Sequence, residues 1–221
     1  MTFANQLFSY FPLLMTILTF AALGVFAHDT TVFTLLLVLA VLYVFPPIVQ
    51  RILLRWTPLK PGISVIDSKT FSPWLAMHHI QGFYDALPQL ESLLRVIPGF
   101  YSMWLRLWGS RVGYGVEWPV RMQVLDRSLM DIGNRVVFSR SVQLAAHLRS
   151  KSEAGGGASK VLVRVVRIGG SAFIGAGVRT LPGASVPGNA SVPEQARIGV
   201  NEMFGSGPHH PAPEEATFAA G

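Results

Sequence analysis

The chain has no cysteine, which excludes a disulfide framework, thiolate metal ligands and a cysteine nucleophile. Charge is scarce as well. Only 14% of the 221 residues are charged, and the mean hydropathy is +0.41. A soluble domain carries about 25% charged residues, so this composition excludes a chain made wholly of water-exposed globule. No Lys or Arg precedes Arg51, so the first apolar run lacks the basic leader of a cleaved signal peptide. Between residues 80 and 208 the only histidine is His147, which excludes a metal site built from several imidazoles in that region.

What is present begins with two uncharged runs, residues 7–27 and 32–50, separated by "HDTT". Each is long enough to cross the hydrocarbon as a helix, the one form in which an isolated segment satisfies its backbone in lipid. They predict a transmembrane helical hairpin over residues 1–56. Arg51, Arg55 and Lys60 follow the second run directly, and the positive-inside bias puts both termini in the cytoplasm. The formal net charge of +6 comes mostly from arginines spread over residues 51–197. Beside a hydrophobic anchor such residues are expected to meet anionic lipid, with no nucleic-acid partner. Residues 57–111 form a juxtamembrane region with amphipathic character. Leu90, Leu94, Ile97, Tyr101, Trp104, Leu105 and Trp108 recur at helical spacing, and Pro98–Gly99 divides them into two short helices. Two readings stand: a cover for one end of the following domain, and an interfacial helix with Trp and Tyr at headgroup level. His78 and His79 read as helix surface, not as a metal site.

From Ile168 onwards the sequence keeps a period of six. Ile168, Ile174, Thr180, Val186, Val192 and Ile198 take the first place of each hexad. Ala172, Val178, Ala184, Ala190, Ala196 and Glu202 take the fifth. The same frame runs upstream through Leu162, Leu144, Phe138 and Ile132, and on to Val120 and Tyr114. Asp126 breaks the rule at a first place, and "RSKSEAGGGASK" (149–160) interrupts it as a flexible excursion. Six fits neither a helix nor simple strand alternation; it demands a repeat architecture. Three hexads close a triangular coil, and stacked coils bury a column of aliphatic side chains. The fourth places are polar or Gly, so that place faces outward, and His147 occupies one.

The segments "DIGNRVVFSRSVQLAAH" and "VRIGGSAFIGAGVRTLPGASVPGNASV", with the lead-in "WLRLWGSRVG", resemble the bacterial hexapeptide-repeat acyltransferases. The resemblance covers roughly residues 98–192. It implies a mainly β chain with a left-handed parallel β-helix over 112–203 and an extruded loop at 149–160. In the family the histidine matching His147 is the general base for transfer of an acyl group from a coenzyme A thioester. Imidazole suits that task because it titrates near neutrality. Asp126 and Asp131 are the nearest upstream carboxylates to orient it. Phe173, Gly175, Ala176 and Gly177 match the stretch that runs along the pantetheine arm. Arg197 is the one cation where the family's nucleotide-contacting motif would fall, and Glu194 departs from that motif. A zinc enzyme on the same fold needs three histidines across coils, so no metal is expected.

Taken together, these features lead us to expect a membrane-anchored O-acyltransferase of the bacterial inner membrane with its catalytic domain in the cytoplasm. Its donor is acetyl-CoA or another acyl-CoA, or a carrier-protein thioester. Its acceptor is a hydroxyl of a membrane-associated glycolipid or saccharide. The resemblance implies a homotrimer. The competing expectation is a non-catalytic β-helix scaffold that organises partners at the membrane. Residues 204–221 lack core residues and read as a disordered tail.

Overall fold

The computed structural model describes residues 3–66, 70–151 and 159–205. The expected tail lies outside the described residues from 206 onwards, as do residues 152–158 of the excursion. The chain divides into two compact units, residues 1–59 with 68–87 and residues 60–67 with 88–221. The segment 57–111 is therefore shared between them.

The first unit is helical: α1 (Phe3–Ser9), α2 (Phe11–His28), α3 (Val32–Tyr43), α4 (Phe45–Trp56) and α5 (Pro73–Ala86). Residues Phe3–His28 form one apolar helical stretch long enough to cross a membrane. The second expected span is broken. α3 and α4 bend by 43° at Val44, where Pro46 and Pro47 disfavour helical geometry in the preceding residue and supply no amide protons. Thr31 caps α3 in a reciprocal capping box with Thr34. Phe20 and Phe33 are 70% and 83% exposed, an apolar surface that water does not favour. Inside the unit Gln81 Nε2 donates to Gln50 Oε1 at 2.9 Å, and the Tyr84 hydroxyl donates to the Leu42 carbonyl at 2.5 Å. On α5, His78 is exposed and stacks on Trp74. No group of metal-ligating residues occurs among the described residues.

The second unit contains β1 (Gly62–Ile66), α6 (Gln89–Val96), α7 (Phe100–Trp108) and the repeat strands. These are β2 (Arg111–Val112), β3 (Gln123–Val124), β4 (Met130–Ile132), β5 (Val137–Phe138), β6 (Gln143–Leu144), β9 (Val166–Ile168), β10 (Phe173–Ile174), β11 (Arg179–Thr180), β12 (Ser185–Val186), β13 (Ser191–Val192) and β14 (Arg197–Ile198). They stack as three parallel sheets: β2-β4-β9-β12, β5-β10-β13 and β3-β6-β11-β14. Successive strands visit the three faces in turn, so the chain is a three-sided parallel β-helix. Its interior is a set of vertical columns, one of them Val124, Leu144, Thr180 and Ile198 in register. These side chains are at most 2% exposed. Trp118 extends the neighbouring column and stacks on Phe138, centroids 4.9 Å apart.

One expectation is corrected here. The inward places upstream are Val112, Trp118 and Val124, not Tyr114 and Val120, which are 65% and 49% exposed. Val124 and Ile132 both point inward eight residues apart, so the corner between them is two residues longer than a hexad allows. Asp126 interrupts the frame because it lies in that corner, not on an inward rung. Leu162 also leaves the frame. The excursion begins and ends as a hairpin, β7 (His147–Lys151) with β8 (Ser159–Val163), and β1 adds antiparallel to the free edge of β8. Leu162 is buried there beside Val200, with Ile63, Leu148 and Leu181 packed around them. Strand β1 and the paired stem were not foreseen.

The fourth place of the hexad is a left-handed corner. Arg135, Ser141, Ser171, Asn189, Gln195 and Asn201 have φ between 53° and 60°, and Gly177 and Gly183 lie at 71° and 77°. A β-branched residue tolerates that region poorly. Asn189→Val is expected to lower stability by about 1–2 kcal/mol, while Asn189→Gly stays within about 0.5 kcal/mol. Equal melting temperatures for the two variants would contradict the corner geometry. His147 departs from the rule: at its fourth place the chain leaves the coil and starts β7.

α7 supports the reading of residues 90–108 as a cover for one end of the following unit. Tyr101, Trp104, Leu105 and Trp108 are at most 3% exposed, and α7 packs on β2. These aromatic residues cap the first coil of the unit, while Ile97 is 47% exposed. Pro98–Gly99 breaks the helices as expected, with Gly99 at φ 83°.

Candidate active site

The structure brings His147 and Asp126 together. Asp126 follows β3 in the long corner of the first coil, and His147 follows β6 at the same corner one coil further on. The Ala146 amide donates to Asp126 Oδ2 at 2.8 Å, locking the two corners in register. His147 Nδ1 lies 2.8 Å from Oδ2 and 2.9 Å from Oδ1. A carboxylate accepts and does not donate, so Nδ1 carries the proton and Nε2 is the basic nitrogen of the neutral ring. The His147 side chain is 19% exposed and that of Asp126 is 7%. The pair is held from inside and reachable from outside.

The long corner is braced on its other side. Arg127, 2% exposed, donates from Nε to Glu91 Oε1 at 2.8 Å, with a second, shorter contact from Nη2. Arg95 Nη2 donates to Glu91 Oε2 at 2.8 Å, and the Tyr101 hydroxyl donates to the same oxygen at 2.7 Å. Burial, and then the adjacent Glu91 charge, push the Tyr101 phenol far above its ordinary range. Ser110 Oγ donates to the Arg127 carbonyl and accepts from the Met130 amide. Sequence reading missed this cluster. Its one legible sign was the charged "DRS" where the repeat required an apolar residue.

The other expected residues are distributed more widely. Asp131 lies on β4, in register between Arg111 on β2 and Arg167 on β9. That is a different face from the one leading into His147, and Asp131 is not among the groups bonded to it. Phe173 is 45% exposed on β10. Ala176 lies in the next corner, where its carbonyl accepts from the Gln195 amide at 2.8 Å. Gly175 is demanded by stacking: a Cβ there would sit 2.7 Å from the Val192 carbonyl oxygen and the Glu194 nitrogen. Gly177 is the left-handed corner residue. Both glycines are thus accounted for by the coil itself. Arg197 on β14 is exposed and in register with exposed Arg179 on β11. Glu194 lies in the corner above Gly175.

His147 lines neither of two clefts formed by this unit. One, of about 630 Å³, runs between α7 and the first coil, from Ile97 to Trp118. The other, of about 390 Å³, lies between the start of α6 and the β3-β6-β11 face.

No protein-family model and no curated protein matches the sequence. Among solved structures the chain is similar to a maltose O-acetyltransferase from Clostridium difficile 630, at 17% identity and a TM-score of 0.34. That match covers 52% of this chain and 74% of the other. It is also similar to serine acetyltransferase isoform 3 from Entamoeba histolytica, solved with cysteine, at 16% identity and a TM-score of 0.27. There the coverage is 94% of this chain and 75% of the other. Likenesses of this size assign no chemistry to the site, which rests on its own residues.

Proposed function

We propose that the protein is a membrane-anchored acyltransferase in which His147, oriented by Asp126, is the general base. The observation that carries the reading is the paired, partly exposed imidazole at the corner where the hairpin leaves the coil. Nε2 takes the proton of an acceptor hydroxyl, and the oxygen attacks the carbonyl carbon of a thioester. The C–S bond breaks, and the departing thiolate recovers the proton from the imidazolium, giving an ester and a free thiol. The Asp126 carboxylate stabilises the imidazolium between these steps. The donor is acetyl-CoA or a related short acyl thioester, with Arg197 toward its phosphates. The acceptor is a hydroxyl on a glycolipid or saccharide delivered at the membrane. The β-helix is left-handed and works as a homotrimer, with the neighbour supplying the facing wall of the site.

The assay is release of free thiol and incorporation of labelled acetyl into a membrane extract by detergent-purified protein. Transfer dependent on the extract supports the reading. Absence of transfer from acetyl-CoA and from acylated carrier protein leaves a β-helix scaffold.

The apolar stretch Phe3–His28 and the bent pair Val32–Trp56 support two membrane passes, with the β-helix in the cytoplasm. Because the chain has no native cysteine, one introduced at exposed Asn189 is a unique reporter. It is expected to resist impermeant thiol reagents in intact cells and to react after lysis. Labelling from outside would reverse the topology.

A further inference from the structure

The cleft beneath α6 has a composition that acyl transfer does not use. Arg95, Arg121 and Arg179 line it together with Gln89, Gln123 and Gln143. No carboxylate is among its lining residues. Arg121 and Arg179 have no ion-pair partner among the described residues, and both are exposed. Arg95 is different: its side chain is 3% exposed and held by Glu91, Tyr101 and the Val120 and Met122 carbonyls. Its Nε, however, is buried without a partner. The excess is local: three arginines line this cleft, and the carboxylate bonded to one of them, Glu91 on Arg95, is not a lining residue. On the β-helix face, Gln143 Nε2 donates to Gln123 Oε1 at 3.2 Å. The pair keeps further amide donors and acceptors for neutral hydroxyl groups.

We infer that this cleft is a binding site for a phosphate ester on a hydroxyl-rich body. The oxyanion is held by Arg121 and Arg179, and the hydroxyl groups meet Gln123 and Gln143. A bidentate guanidinium–phosphate contact is short, strong and geometrically selective. The same chemistry occurs in a soluble sugar phosphate and in the headgroup of a phosphorylated lipid. The cleft volume, about 390 Å³, admits a single hexose phosphate or one headgroup. Neither His147 nor Asp126 lines the cleft, so the site does not depend on the acyl-transfer reading.

The test is calorimetry on the full chain in a non-ionic detergent, with glucose 1-phosphate, glucose and dihexanoyl phosphatidic acid as separate probes. Saturable binding of either phosphate, with none of glucose, is expected, and which phosphate binds identifies the source. Arg121→Gln and Arg179→Gln are each expected to weaken that binding about tenfold or more. Both side chains are exposed, so the melting temperature should hold. Arg167→Gln, on another face, should leave binding unchanged, as should His147→Ala. Binding that survives the Arg121→Gln/Arg179→Gln double variant would overturn the proposal, as would no saturable binding of either phosphate. Competition by coenzyme A would overturn it too, because the cleft would then belong to the donor.

Discussion

His147→Ala is expected to lower acyl transfer by about 10²–10⁴-fold, the range that a positioned general base supplies. Because the ring packs on Asp126 and is only 19% exposed, the same change should cost roughly 1 kcal/mol of stability and leave the protein folded. The sharper arm is Asp126→Asn. An asparagine can turn its NH₂ toward Nδ1 and favour the tautomer with the proton on Nε2, the wrong nitrogen for accepting one. The shape of the corner survives, since the amide oxygen still accepts from Ala146. The rate is therefore expected to fall steeply without unfolding. If the two residues act as one unit, the double variant should be no slower than the worse single one. Transfer at the parental rate by His147→Ala would remove the base from the mechanism. Strictly additive losses would separate Asp126 from it.

The sequence made the β-helix legible because its period is set by geometry: each inward rung needs an aliphatic side chain, and each slim fifth place needs a corner that closes. That signal identified Ile132 to Leu144 and Ile168 to Ile198 without reference to any contact, and misplaced Leu162 between them. It failed at the first coil. Adding two residues to a corner shifts the phase by two, and Trp118 and Val124 happen to be apolar in both frames. Asp126 was visible as an interruption, but its partner was not, because the contact spans one whole coil and depends on the register of stacked backbones. Strand β1 was invisible for a related reason. "GISVI" pairs with β8 a hundred residues later, and nothing local marks it. The break at Val44 was signalled by Pro46–Pro47 and passed over, because the uncharged run read more strongly than its interruption. The glycines of "IGAG" matched a family pattern, yet stacking alone explains Gly175 and Gly177, so their presence says nothing specific about a ligand.

The second large effect belongs to Glu91. Its two oxygens are the shared acceptors of Arg95, Arg127 and the Tyr101 hydroxyl, and all four side chains lie within the packed interface of α6, α7 and the long corner. Glu91→Gln keeps the shape but leaves two buried guanidinium groups without a counter-charge. Breaking a buried pair in this way costs about 3–5 kcal/mol, a large part of the 5–15 kcal/mol that holds a typical domain together. A fall of roughly ten degrees or more in melting temperature is expected on that basis, since about 1 kcal/mol shifts a domain of 150–250 residues by roughly 2–4 °C. Removing the charges together tells the pair from its surroundings. Glu91→Leu combined with Arg127→Met replaces an ion pair by apolar volume, and the double variant should be more stable than the Glu91 change alone predicts by addition. A surface change such as Asp131→Asn, between exposed arginines, should move stability by about 0.5 kcal/mol or less. Because Arg127 directly follows Asp126, loss of Glu91 frees the corner that holds the imidazole. Glu91→Gln is therefore expected to slow transfer at temperatures well below its own unfolding, through a positioning role. Equal melting temperatures for Glu91→Gln and Asp131→Asn would show that the buried cluster does not brace the site.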